Sequence, residues 1–222
     1  MKYKAIIFDM DGTIITTDHI WNQATRDLIT RRGHQISAEQ EADLKQHLHG
    51  LAINESCLFI KMMFKLEDSV PELMKEKSKI ACDLFDQEVK FIDGFLDFHQ
   101  KVDSHKLKRG IATNADDNTL LATKKALKLE VLFGEHIYNI SHVNFKGKPQ
   151  PDIYLHAARQ LGVAPEECIA IEDSAHGIRA AKAAGMLCIG IKSHGIDAHI
   201  QEADIKIQAY HQIDLEIILG IK

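Results

Sequence analysis

The chain has 222 residues, 45% hydrophobic and 27% charged, with a formal net charge of −5 and a sequence pI near 6.2. A chain of this length buries a sizeable core, roughly 70% of the surface its unfolded form exposes, and the composition is globular rather than disordered. The acidic balance carries no electrostatic footprint for nucleic acid or an anionic membrane surface, so neither is expected as a partner.

From the N-terminus, Met1-Lys2-Tyr3-Lys4 leads directly into a strand-like run, without the longer apolar region or small-residue cleavage site of a signal peptide. No apolar run approaches transmembrane length. Ala5-Ile6-Ile7-Phe8 reads as a buried strand. Asp9-Met10-Asp11-Gly12-Thr13 then falls where a strand ends and a loop begins, with Asp9 and Asp11 able to share one side while Met10 points away.

The next eighty or so positions read as helical. Ile20, Ala24 and Leu28 recur at a four-residue spacing with Trp21 alongside, and Gly33 stands where a C-terminal cap belongs. Ser37 with Gln40 forms a capping-box pattern before Leu44 and Leu48, and Gly50 closes that helix. Asn54 is placed as the cap of a third helix whose apolar positions are Leu58, Phe59 and Met62, with Met62 and Met63 filling core. Ser69 with Glu72 opens a fourth, carrying Leu73, Ile80 and Leu84. Four helices without an intervening strand suggest a small bundle.

At Ile92-Asp93-Gly94 the pattern changes to alternating strands and helices, the signature of an α/β domain with a mainly parallel sheet. Strands are expected at 109–113, 136–140, 168–171, 187–191 and 205–207. Helices are expected after Asp117, from Pro151 to Leu161 and from Ala175 to Ala184. The first strand is thus parted from its sheet partners by a helical module. The boundaries expected are 1–15 with 93–222 for the α/β core and 16–92 for the inserted helices.

Three strand ends carry polar groups: Asp9 and Asp11, Thr113 and Asn114, Glu172 and Asp173. Doubly wound topology brings such ends together. Acids gathered in one cleft repel unless a cation neutralises them, and oxygen ligands of this kind suit Mg²⁺. Lys148, before Pro149 and a helix start, reads alone either as a solvated turn residue or as one positive charge for a phosphate or a crowded aspartate. Its Gly-Lys lacks the flanking residues of a nucleotide P-loop. The four cysteines form no Cys-x-x-Cys pair, which fits a reduced, cytoplasmic chain. Of the 13 histidines only His47 and His49 are close, and both read as solvated or helix-end residues rather than ligands.

Taken in order, these elements resemble the four motifs of the haloacid dehalogenase superfamily. Asp9-x-Asp11-Gly12-Thr13 is similar to the first, Thr113-Asn114 to the second, Lys148-Pro149-x-Pro151-Asp152 to the third and Glu172-Asp173-Ser174-x-x-Gly177 to the fourth. With the helical insertion, the chain looks most like the subgroup containing β-phosphoglucomutase, phosphoglycolate phosphatase and sugar-phosphate phosphatases. The resemblance implies a Rossmann-like, mainly parallel sheet core with an inserted α-helical cap domain. It implies Asp9 as nucleophile, Asp11 as general acid and base, and Mg²⁺ on Asp9, the Asp11 carbonyl, Glu172 and Asp173. Thr113, the Asn114 amide and Lys148 would hold phosphate.

Two positions depart from the subgroup. Thr16 replaces an acidic residue in the hinge, and Ile53 stands where the mutase has an arginine for a second phosphate. The reading that follows is a Mg²⁺-dependent phosphatase of a small phosphorylated metabolite, a monomer by default. Trp21, His47, Ile53, Asn54 and Lys61 are the candidates for substrate selection, with Lys61 as a cation that could replace the missing arginine. A phosphomutase and a non-catalytic binding module are the alternatives.

Overall fold

A computed structural model describes residues 2–192 and 200–221. Strand β1 (Ala5–Phe8) is buried at all four positions. Ile6 and Phe8 lie in one apolar cluster and Ala5 and Ile7 in another, because successive strand residues point to opposite faces. Such a strand must be covered on both sides, as parallel sheets are. Accordingly β4 (Lys108–Ala112), β5 (Ile137–Tyr138), β6 (Cys168–Glu172), β7 (Leu187–Ile191) and β8 (Ile205–Ile207) join it in the order β5-β4-β1-β6-β7-β8. Every pairing is parallel.

The two faces are packed differently. Phe8 shares its face with Ile111, Ile169 and Ile171, covered by the rings of Phe95, Phe98, Phe133 and Tyr210. The opposite face presents smaller side chains, Ala112, Cys168, Ala170 and Cys188, against α8 (Asp152–Leu161) and α9 (Ala175–Ala183). Strand β1 lies between β4 and β6, so the chain crosses to opposite sides of it, and the adjacent strand ends form the crevice where such sheets bind ligands.

Between β1 and β4 lies the helical block: α1 (Asp18–Thr30), α2 (Ala38–Leu48), α3 (Ile53–Phe64) and α4 (Val70–Glu88). It is reached and left through an antiparallel ribbon, β2 (Ile15–Thr16) on β3 (Lys90–Phe91), too short to show as alternation in the sequence. Both expected capping boxes form, Ser37 with Gln40 and Ser69 with Glu72. The block has its own apolar cluster around Leu28, Cys57, Ile60 and Leu73, while Ile20, Ala24, Ile80 and Phe85 pack into the sheet's core.

The third helix departs from expectation. Its cap position is Ala52, not Asn54, which puts Ile53, Cys57, Ile60 and Phe64 on the buried stripe. Leu58 and Met62 are turned outward, 49% and 71% exposed, so Met62 fills no core. The run Ile53 to Phe64 is apolar nearly all round, and only the neighbouring helices decide which stripe goes inside. Helix α5 (Phe95–Ser104), unplaced in the sequence reading, buries Phe95, Phe98, His99 and Val102 at i, i+3, i+4 and i+7. No helix among the described residues is long and apolar enough to cross a membrane.

The revised stripe has a direct check. Ile60→Ala should cost about 2–5 kcal/mol in chemical denaturation, as buried large-to-small changes do. Leu58→Ala should stay within about 0.5 kcal/mol. Equal losses would restore the original stripe.

Candidate active site

Asp9 follows β1 directly, and its backbone N–H still bonds to Ile171 O on β6 at 3.0 Å. The chain then folds back on itself. Ile14 N–H bonds to Met10 O at 2.9 Å, Gly12 N–H bonds to Ile15 O at 2.8 Å, and Tyr210 Oη donates to Thr13 O at 2.9 Å. Met10 is buried in the core while Asp9 and Asp11 both line one cavity. Gly12 has φ +79°, and any Cβ there would overlap the Asp173 carboxylate. The glycine is therefore what lets the first loop close on the end of β6.

Lys148 is the centre of the charge arrangement. It is buried, its Nζ donates to Asp9 Oδ1 and to Glu172 Oε1, the latter at 2.5 Å, and it sits 5.0 Å from the Tyr154 ring centroid. Burial alone would lower its pKa, but Asp9 and Glu172 outweigh that and hold it well above the ordinary lysine range. The solvated-turn reading of this lysine is thus replaced by a buried one. Glu172 also accepts from Tyr154 Oη at 2.6 Å and, through Oε2, from Ser174 Oγ at 3.2 Å. Ser174 caps α9 by accepting from Gly177 N–H at 3.0 Å, and a Cβ at Gly177 would overlap the Glu172 carboxylate. The spacing Glu172-Asp173-Ser174-x-x-Gly177 therefore has a steric reason.

Asp9, Glu172 and Asp173, all buried, place one carboxylate oxygen each within 4.8 Å of one another. Burial and the charges of Glu172 and Asp173 push the Asp9 pKa well up, against the pull of Lys148. Burial also raises Asp11, and the indole N–H that Trp21 donates to it draws it back. One lysine does not balance these acids. Hard oxygen ligands with an uncompensated negative charge fit a divalent cation such as Mg²⁺, and Asp9 with Asp173 and Glu172 would hold it.

Thr113, at the end of β4, is buried, and its Oγ1 accepts from Ala115 N–H at 3.1 Å, which leaves its own proton to be donated elsewhere. Asn114 works as a clamp: Oδ1 accepts from Lys148 N–H at 2.9 Å and Nδ2 donates to Gly50 O at 3.2 Å. That bond ties the helical block to the sheet. Beside it, His49 Nε2 lies 3.2 Å from Asp173 Oδ2 and Nδ1 lies 3.8 Å from Asp18. Burial disfavours its charge, yet Asp173 and Asp18 raise its pKa to about 9.

The cavity between block and sheet is about 450 Å³. Of the selection candidates, Trp21 and Ile53 line it. The other three do not. His47 stacks on Phe59 at 5.2 Å and bonds within α2, Asn54 is exposed once α3 begins at Ile53, and Lys61 Nζ donates to Leu66 O and Asp68 O. Lys45, Lys148, Lys192 and Lys77 line the same cavity; Lys77 on α4 is buried, with Nζ donating to Ser56 Oγ at 2.5 Å. Among the described residues no carboxylate pairs with it, and burial lowers its pKa to about 8. The sequence signal was a lysine on the apolar stripe of α4, four residues after Leu73 and three before Ile80. His49 had no such signal, since its partner is far along the chain.

A family model described as haloacid dehalogenase-like hydrolase matches residues 6–191. A phosphorylated carbohydrates phosphatase of Thermotoga maritima is 28% identical over 183 residues, 82% of each chain. A β-phosphoglucomutase of Bacillus subtilis is 28% identical over 224 residues, 97% of this chain and 93% of the relative. The crystal structure of a β-phosphoglucomutase from Clostridium difficile superposes with a TM-score of 0.83 at 26% identity, covering 98% of this chain and 96% of that one.

The raised Asp9 pKa has a thermal consequence. Above the ordinary carboxylate range and up to that raised value, the folded cation-free chain binds more protons than the unfolded one, so its stability falls as pH rises. A cation favours the anion and removes the penalty. Mg²⁺ at a hundredfold excess over its Kd should add about 2.7 kcal/mol near neutrality. The rise in Tm should shrink at about pH 5, where binding must displace protons. Tm values measured with and without Mg²⁺ at both pH values check this, and an equal gain at both would contradict it.

Proposed function

The chain belongs to the haloacid dehalogenase-like hydrolases, and from that premise we propose that it is a Mg²⁺-dependent phosphomonoesterase acting on a small phosphorylated metabolite through an aspartyl-phosphate. The observation that carries the reading is Lys148 bridging Asp9 and Glu172 beside Asp173, with Asp11 on the same cavity. A relative named for phosphorylated carbohydrates supports the substrate class.

In this reading an Asp9 oxygen bonds to phosphorus as the ester P–O bond breaks, and Asp11 protonates the leaving oxygen. Water then attacks the phosphoryl group and gives its proton to Asp11 as the bond to Asp9 breaks. Thr113, the Asn114 amide and Lys148 hold the phosphoryl oxygens. Asp9, the Asp11 carbonyl, Asp173 and Glu172 would hold the cation, which would supply neutralising charge to the nucleophile and the phosphoryl oxygens. Residues 16–92 act as a cap over a core made of 1–15 and 93–222, with the Asn114–Gly50 bond as its seat. Lys77 meets the substrate's remote end.

A second reading, sugar phosphomutase, is favoured by the mutase relative and by a cation in the cap. One ammonium is a weaker grip than the two-pronged guanidinium, and Ile53 is aliphatic. The aspartyl-phosphate is therefore expected to pass to water. A panel of sugar, nucleotide and short-acid monophosphates, read by phosphate release and by isomerisation, separates the two. Efficient isomerisation of β-glucose 1-phosphate with negligible phosphate release would establish the mutase instead.

Two substitutions bear on the chemistry. Asp9→Asn should fold and abolish turnover, while Asp11→Asn should lose about 10²–10⁴-fold in rate and accumulate the aspartyl-phosphate, visible by intact mass. Near-normal phosphate release from folded Asp9→Asn would refute the nucleophile. Lys77→Met should raise Tm, by removing a buried charge, and raise KM. Hydrogen bonds to charged groups are worth about 1.5–3 kcal/mol, or roughly ten- to hundredfold in KM. Unchanged KM would move Lys77 out of the substrate site.

A further inference from the structure

Asp11 has two oxygens, and a group that gives and takes one proton must present the correct one. Trp21, in the second turn of α1, donates its indole Nε1–H to Asp11 Oδ1 at 3.2 Å. The sequence placed Trp21 among substrate-selecting residues; the structure turns its polar edge to the carboxylate. The ring is fixed from elsewhere in the block. Phe85 meets it edge-on at 5.9 Å and 76°, and Lys77 Nζ lies 5.6 Å from its centroid. Phe85 is fully buried, so the indole has little freedom to swing away.

Indole N–H donates and cannot accept. An oxygen facing it cannot hold a proton on the same line, because two hydrogens would meet. A hydroxyl in the same place would impose no such choice, since it accepts as readily as it donates. We propose that Trp21 is a positioning residue for the proton transfer: its indole pins Oδ1 as the acceptor and assigns the transferable proton to Oδ2 of Asp11. In the first step an Asp9 oxygen bonds to phosphorus as the ester P–O bond breaks, and the Oδ2–H bond breaks as its proton goes to the leaving ester oxygen. In the second, water's proton moves to Oδ2 as its oxygen bonds to phosphorus and the phosphorus–Asp9 bond breaks, freeing the carboxylate. Because Trp21 belongs to the helical block and Asp11 to the loop after β1, the assignment is made only when the block is seated.

This inference rests on the phosphomonoesterase reading, and its test separates the two. Trp21→Phe keeps the ring and removes the N–H. The quantity to compare is kcat/KM, which reports the first phosphoryl transfer, on an alkyl phosphate whose leaving alkoxide needs a proton and on p-nitrophenyl phosphate, whose leaving group does not. Trp21→Phe should lower the alkyl value about tenfold or more beyond any loss on the aryl ester. Phe85→Leu, which loosens the ring without removing the donor, should lower both by a similar factor. Equal loss on both esters by folded Trp21→Phe, or no loss, overturns the inference and leaves the hydrolase reading standing. A wild-type chain that releases phosphate from neither ester sinks that reading, and the inference with it. A second measurement needs no turnover. The chain has one tryptophan, so its single indole N–H resonance should move upfield in Asp11→Ala, and a resonance that stays in place overturns the contact.

Discussion

Burying several carboxylates side by side is costly in any protein, because each loses its hydration and each raises the energy of the others. Here Asp9, Glu172 and Asp173 are brought together at the ends of two neighbouring parallel strands, and Lys148 is driven between two of them. Everything else at the crevice answers to that crowding. Tyr154 and Ser174 satisfy the remaining capacity of Glu172, His49 meets Asp173, and Gly12 and Gly177 are the residues whose missing side chains let the carboxylates approach. A lysine paired this way is held charged, and removing either partner would leave a buried charge uncompensated.

The architecture makes the crowding possible. A parallel sheet covered on both faces is rigid, and its register sets Phe8 level with Ile111 and Ile171, so the residues that follow emerge at the same height. Large side chains on one face and small ones on the other let α8 and α9 lie close to the sheet. Lys148, just ahead of α8, and Ser174, at the start of α9, are thereby carried to the acids. The site is a product of helix placement as much as of strand ends.

The helical block adds what the sheet cannot supply. It contributes Trp21, Ile53 and Lys77 to the cavity wall and His49 to the acid cluster, and it is held down by Asn114. Its seat spans two apolar clusters, since α1 and α4 place residues in one of the sheet's clusters as well as in their own. In the proposed function the block, acting as a cap, excludes water from a site whose electrostatics strengthen as the dielectric falls. Lys77 is a charge kept where burial works against it, and in the proposed function that is stability given up for substrate binding.

What the sequence determined by itself was local. The buried strand before Asp9, the two capping boxes, the strand ends at Thr113 and Asp173 and the helix end at Leu161 all depend on residues within a few positions of one another, where periodicity and backbone freedom act directly. The order of motifs added the family and, through it, the roles expected of Asp9, Asp11 and Lys148. Tertiary structure decided the rest. Helix α3 is apolar on several sides, so its buried stripe was set by neighbours rather than by pattern, which removed Asn54 as cap and turned Met62 outward. Lys61 went to backbone carbonyls because only the start of α3, Ile53 and Ser56, reaches the cavity, whereas Lys77 on α4 lines it. Trp21 and Asp11 are ten positions apart, and His49 and Asp173 are separated by most of the chain. No local rule links such pairs, and only the packing of the block on the sheet brings them together.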